Sequence, residues 1–559
     1  MAEEAVSQLP LESEAPEPRV ALECATAVSA TLFLASCGGG GTSGSAPAPP
    51  PTTQTPPPVI ALPSRTQAAR FLGQATMGAS RADLDQVASV GFQAWLEAQF
   101  NMPRQTSHWD WLVSAGFATT ATINSQAGFD PVMWRQLIAS PDQLRQRVGM
   151  ALLDLLVVGI DGVNAPWRQF AVAAYVDVLM DNAFGNFRTL LEQVSTSPAM
   201  GYYLTFLGNR KANPATGAVP DENYARELMQ LFTIGLLRLS PDGTAQQTET
   251  YTQADITGLA RVFTGFTLDS SDNSTPDRLR RPMVINAAQH ETGAKTFLGT
   301  TIPAGTSGAD SLKLALDAIF AHPNVAPFVS KQLIQRLVTS NPTAAYVGRI
   351  SAVFENNGSG VRGDLRTVVR AILLDFEARS DPATPSYGKL RAPIQRLTGL
   401  ARAFNASSPS NAWAIGDTTS TANRLGQSPG RSPSVFNFFR PGYTPPNTPI
   451  ATAGLVAPEF QIANEPSVIA YVNYMQALVV NGAGDFRADY SDIVTRAGDS
   501  IVLVNEVDLL LGAQLSAGTK TSIGAAVDSI ATTAANGPLS RVHTAILLTL
   551  ASPEYLIQK

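Results

Sequence analysis

The sequence predicts an all-α or α-dominated fold, a large multi-helix domain with long loops. Apolar residues recur at helical spacing through most of the chain from Ser64 onward, and strand-like alternation is sparse and short. The helical runs are bounded by capping residues and by glycine or proline stops. Composition agrees: 44% hydrophobic and 15% charged residues over 559 positions describe a folded globular chain, long enough for a large domain or two intimate ones.

In chain order, residues 20–37 read VALECATAVSATLFLASC. Leu34-Ala35-Ser36-Cys37 resembles a bacterial lipobox, in which the cysteine is lipidated and becomes N-terminal after cleavage. The preceding segment is acidic where a signal peptide should be basic, and Glu23 interrupts the apolar run; a start codon placed too far upstream would explain the first 18 residues. The Gly/Ser/Pro tract that follows has too little apolar surface to pack and reads as a tether. The expected organisation is a leader over 1–37, a tether over 38–63 and a helical domain over 64–559. The expectation from this order of elements is that Cys37 is the lipidation site of an exported protein held on the cell envelope as a periplasmic or outer-membrane lipoprotein; the other reading of the segment is a disordered cytosolic tail.

Ser80-Arg81-Ala82-Asp83 forms a capping-box start for a helix that Gly91 stops, and Trp95, Leu96 and Phe100 mark the next one. Residues 142–158 read as a strongly buried helix after Pro141, and 168–193 as helical runs broken at Gly185. Helical periodicity returns at 310–321, 325–338, 343–355, 364–376, 387–404, 465–480 and 539–550. The Ser/Thr/Asn-rich stretch 405–424 reads as an exposed loop. Residues 434–445 concentrate Phe436, Phe438, Phe439 and Tyr443 between Pro and Gly, so this loop either plugs the core or offers stacking faces to a ligand.

Several function classes drop out early. A net charge of −6 with no basic stripe argues against a nucleic-acid partner. The two cysteines, Cys24 and Cys37, both precede the domain, so it has no disulfide framework, cysteine zinc site or thiol nucleophile. The four histidines share no metal-binding spacing, and no phosphate-loop, dinucleotide or nucleophile-elbow motif occurs.

Chemistry concentrates around ENYARELMQLFTIG, residues 222–235. Asp221 is placed at the N-cap and Gly235 at the stop; Tyr224, Leu228, Leu231 and Phe232 share one face. Glu222 and Arg226 form an i, i+4 surface pair. Glu227 falls on the border of the apolar arc, where a carboxylate needs a cation or shifts its pKa. The expected partner is Arg261, a fork-shaped donor on the next amphipathic helix. Asp255 completes a capping box with Thr252. His290-Glu291 reads equally as a surface turn or as a general base with its neighbour, His322 as a helix end and His543 as core.

These blocks also carry a family resemblance. RFLGQATMGAS (70–80), SPAMGYYLTFLGNRKANP (197–214), DENYARELMQLFTIG (221–235), YTQADITGLARVFTGFT (251–267) and HETGAKTFLG (290–299) resemble, in order, the bacterial "domain of unknown function 1800" family. The resemblance implies an exported bacterial protein, often encoded beside a partner of the "domain of unknown function 1501" family, and implies no particular reaction. The family's pattern has Trp-His-Asn-His in the buried helix and a histidine in the central motif. Here Leu152-Leu153-Asp154-Leu155 and Phe232 stand at those places, and only His290-Glu291 keeps a polar pair. The expectation is therefore no tightly bound transition metal and no cofactor. Two functions remain: a non-catalytic assembly, export or surface-polymer factor working with that partner and through a membrane anchor, or a carboxylate-dependent hydrolase of an extracellular polymer. The hydrolase would use Glu227, His290 and Glu291 as catalytic groups, and Arg226, Arg261, Asp255 and the aromatic loop would bind its substrate.

Overall fold

Side-chain caps set many of the helix starts. Ser64, Ser80 and Thr252 each accept a backbone N–H three residues on, and Gln67, Asp83 and Asp255 return the bond, closing three capping boxes. The computed structural model describes residues 62–381 and 386–559. The leader with Cys37 and nearly all of the tether lie outside the described residues.

The fold is mostly helical. Helices Arg65–Ala75, Arg81–Val90 and Phe92–Phe100 follow one another at the start, and Gly91 makes the stop with φ of 82°. Residues Ala61–Lys559 cluster as one unit. Its centre is the helix Arg168–Asp181, buried on nearly every side, which packs against His108–Ser114, Gln143–Leu153 and Pro198–Tyr203. Among the described residues strands are confined to two-stranded antiparallel sheets, including Leu237–Leu239 with Ala245–Glu249 and Lys295–Phe297 with Thr300–Ile302. A third pairs Lys389–Leu390 with the C-terminal Ile557–Gln558 and returns the chain end to the core. Among the described residues no helix is long and apolar enough to cross a membrane.

Several sequence expectations need correction. The helix expected over 142–158 spans Gln143–Leu153; Asp154, partly exposed, follows it, and 155–158 continue as buried non-helical chain. Apolar periodicity could not mark that end, because the residues beyond it are just as apolar. The segment 222–235 is not one α-helix: an α-turn over Asn223–Glu227 passes into a π-helix over Leu228–Thr233. Glu222 holds the N-cap position, while Asp221 accepts the Asn223 N–H from one residue earlier at 2.8 Å. The loop 405–424 is only partly exposed, since Trp413 and Ile415 are buried in the core. His543 is half-buried, with its ring 5.2 Å from that of Tyr490.

The helix Gln253–Ala260 approaches the strand Lys295–Phe297 so closely that a Cβ on Gly258 would lie 1.8 Å from the Thr296 carbonyl oxygen. Backbone cannot yield there as a side-chain tip would. Gly258→Ala should therefore lower stability by about 1–3 kcal/mol, seen as a lower urea midpoint with an unchanged m-value.

Candidate functional site

The π-helix Leu228–Thr233 does what a continued α-helix would not. Its wider turn ends with the Ile234 and Gly235 N–H groups both donating to the Met229 carbonyl, at 2.9 and 3.0 Å. Gly235 has φ of 72°, and a Cβ there would sit 3.1 Å from the Phe328 ring. Leu228, Met229 and Phe232 stay fully buried, while Gln230, Leu231 and Ile234 line a cleft of about 910 Å3. The aromatic loop adds to the cleft's lining through Phe436, Phe439 and Arg440, with the Arg440 guanidinium 4.5 Å from the Phe436 ring centre.

Asp154, the residue just past the helix Gln143–Leu153, lies on the cleft wall and is partly exposed. Asn437 Nδ2 donates to its Oδ1 at 2.7 Å, and Arg336 Nη2 donates to its backbone carbonyl at 2.9 Å. Burial pushes the Asp154 carboxyl above its ordinary range, and the charge of Arg336 and the bond from Asn437 offset that only in part. Beneath it, Lys389 and Glu459 make a buried ion pair at 2.9 Å, both nearly inaccessible. Arg147, also buried, is pushed down to about 10 by desolvation. The cleft thus combines a readily protonated carboxyl, amides from Gln230, Gln332 and Asn341, and aromatic faces from Phe328, Phe436 and Phe439. That set can hydrogen-bond hydroxyls and stack flat rings; it has the makings of a binding cleft for a polar, partly apolar chain.

The residues singled out in the sequence fall into separate places. Phe436 and Phe439 line the cleft, whereas Phe438 and Tyr443 are half-buried and do not. Glu227, Asp255, Arg261, His290 and Glu291 are likewise not on its wall. Glu227 does face inward, at 7% exposure, but the expected partner is wrong. Arg261 lies exposed at the C-cap of its helix, with the Ala294 carbonyl as its hydrogen-bond acceptor at 3.4 Å. Glu227 Oε2 has no hydrogen-bond partner among the described residues, and burial raises the pKa of the carboxyl despite the charge of Arg226 nearby. Arg226 itself pairs with Glu222 at 3.2 Å, as the i, i+4 spacing predicts.

His290 is not in a surface turn. It is 2% exposed, its Nδ1 lies 2.9 Å from the Thr264 carbonyl, and burial lowers its pKa. Nδ1 is thus the donor of a neutral ring, and Nε2 has no hydrogen-bond partner among the described residues. Glu291 accepts the Gly293 N–H at 2.8 Å, and its own N–H donates to Thr264 Oγ1 at 2.9 Å. No hydrogen bond or ion pair among the described residues joins Glu227 to His290, Glu291 or Arg261. Burial of Asp255 alone would raise its pKa, but bonds from Thr252 and the Leu298 N–H hold the carboxyl low. Among the described residues no cluster of three or more His, Cys, Asp or Glu is arranged to hold a metal.

Sequence reasoning missed Asp154 and Arg336. The signal available was a charged residue, Asp154, inside the run LLDLLVV, where a buried carboxyl must be built for.

The chain matches the model of the family described as protein of unknown function (DUF1800) over residues 70–557. No curated protein matches it, and no solved structure does.

The raised pKa of Glu227 has a definite sign in stability. The folded state binds its proton more tightly than the unfolded chain, so stability is full below the unfolded value and declines as pH rises towards the folded one. Glu227→Gln removes that decline. Urea unfolding should show the variant gaining on the wild type as pH rises from about 4 to neutrality; a variant less stable at neutral pH would reveal a favourable charge on Glu227.

Proposed function

The chain belongs to the DUF1800 family, and on that premise we propose that it is an exported, lipid-anchored envelope protein that holds an extracellular polymer rather than cutting it. The cleft between the π-helix and the aromatic loop carries this reading. Its volume of about 910 Å3 suits a stretch of several linked units. Phe436 and Phe439 offer faces to the flat apolar side of sugar rings, and Gln230 and Gln332, whose oxygens accept from Tyr251 and Arg336, offer amide N–H groups to the hydroxyl edges. The lipobox-like Cys37 and the tether support its place on the envelope, where a partner of the unknown-function 1501 family would share the work.

The alternative, a carboxylate-dependent hydrolase, draws on Asp154, whose raised pKa suits a general acid. Hydrolysis by paired carboxyls needs a second one across the scissile bond. Asp154 is the one carboxyl on the cleft wall among the described residues, and Glu227 lies elsewhere. That weighs towards holding.

Native gels cast with polysaccharide from the producing cell's envelope should retard the wild type, and Phe436→Ala/Phe439→Ala should run unretarded with unchanged far-UV circular dichroism. Size-exclusion of the recovered polymer should show its length unaltered. Shortening that disappears in Asp154→Asn would replace the holding reading by the hydrolase.

Cys37→Ser should move the protein from the membrane fraction to the soluble one, or stop its processing. Identical fractionation of both forms would remove the anchor from the proposal. Mild-detergent extraction of the anchored form should bring down a second protein in stoichiometric amount.

A further inference from the structure

A second cavity, of about 250 Å3, lies among Leu390, Leu425, Phe460, Val468 and Leu556, and its lining also includes Arg396 and Glu459. Buried charge at an apolar wall is costly and must be answered by a partner. Arg396, 9% exposed, satisfies one side of its guanidinium: Nε donates to the Arg391 carbonyl at 2.8 Å, and the group lies 4.9 Å from the Tyr471 ring centre. Neither Nη atom donates a hydrogen bond among the described residues. Glu459, 2% exposed, is similarly half-used: Oε1 meets Lys389 Nζ at 2.9 Å, and Oε2 has no hydrogen-bond partner among the described residues.

The charge balance around them says what the free guanidinium edge would take. Arg147, Lys389, Arg391 and Arg396 form a chain of mutually repelling cations, Lys389 with Arg147, Arg147 with Arg391 and Arg391 with Arg396; Arg336 lies near the same two carboxyls, Asp154 and Glu459, that face this group. Lys389 already neutralises Glu459, so the surplus is positive and Glu459 does not turn an anion away. A guanidinium presents two parallel N–H groups, the geometry of a carboxylate. The remaining wall is aliphatic and aromatic, which fits a monoanion with a hydrocarbon tail and not a polyanion.

We propose that this cavity binds an apolar monocarboxylate carrying a hydroxyl close to its carboxylate. The carboxylate lies on the Arg396 Nη edge and the hydroxyl donates to Glu459 Oε2. The chain packs against Leu425, Phe460, Val468 and Leu556. One ligand then satisfies both half-used groups and covers the apolar wall. The proposal does not rest on the polymer cleft, whose lining shares no residue with this cavity.

Calorimetric titration of the purified full chain tests it, with 3-hydroxyoctanoate, octanoate, 1-octanol and octylamine as probes. The hydroxy acid should bind saturably and octanoate about tenfold more weakly, the loss expected for one hydrogen bond to a charged group. The alcohol and the amine should bind far more weakly than either acid. Val468 is 56% exposed, so Val468→Trp can fill the mouth without disturbing the charged groups; it should abolish binding and leave the unliganded melting temperature unchanged. Arg396→Gln should erase the preference for acid over alcohol. Absence of saturable binding by the hydroxy acid overturns the proposal, as does an alcohol or amine that binds as tightly. Equal affinity for the two acids removes Glu459 from the site, and undiminished binding by Val468→Trp places the ligand elsewhere.

Discussion

Buried cations that need oxygen partners organise this molecule. Arg336 Nη2 reaches the Asp154 carbonyl, and the Arg336 carbonyl in turn accepts from both Arg147 Nη2 at 2.7 Å and Lys389 Nζ at 2.9 Å. Arg147 Nε also reaches the Gln74 carbonyl, while Lys389 closes on Glu459. Carboxyls alone cannot balance so much positive charge, so backbone carbonyls supply the rest. The Arg336 bonds tie the helix Gln143–Leu153, the chain just past it and the strand Lys389–Leu390 to the helix Val325–Leu337; Arg147 then carries the link on to the end of the first helix, and Lys389 to the turn at Glu459. The C-terminus joins the same knot, because Gln558 Nε2 donates to the Leu337 carbonyl at 2.8 Å. Removing one partner would strand a buried charge at a cost of about 3–5 kcal/mol.

That knot also makes the working surfaces. Asp154 forms part of the cleft wall and, through Asn437, fixes the loop that brings Phe436 and Phe439 to the cleft. Glu459 lies at the other end of the charge cluster, where it enters the second cavity with Arg396. The two cavities are therefore built on one electrostatic arrangement, although they offer different chemistry: amides, aromatics and a protonatable carboxyl in one, a guanidinium and a hydrocarbon wall in the other.

The π-helix is the second structural device. An extra residue in the turn lets Leu228, Met229 and Phe232 remain in the core while Gln230, Leu231 and Ile234 reach the cleft. The motif that dominates the family resemblance is thus a cleft wall through its second half. Its first half, with Glu227, is packed away from that wall, beside Arg226 and Tyr251.

What the sequence by itself determined is local. The predominantly helical class, the capping boxes at Ser80 and Thr252, the breaks at Gly91 and Gly185, the Glu222–Arg226 pair and the inward turn of Glu227 all follow from contacts within about one or two helical turns. The family, too, was legible from its ordered blocks. What only the tertiary structure decided is which polar groups meet. Arg261 stands at the end of its helix and turns to Ala294, so the complementary charge of Glu227 and Arg261 never became a pair. The burial of His290 beneath Thr264 and the entry of a π-turn after Glu227 depend on neighbours that no short window contains. Asp154 and Asn437 lie 283 positions apart in the chain and 2.7 Å apart in the fold. A periodic pattern reports which face of a helix is buried; only the packed chain sets the distance and direction at which one buried charge finds another.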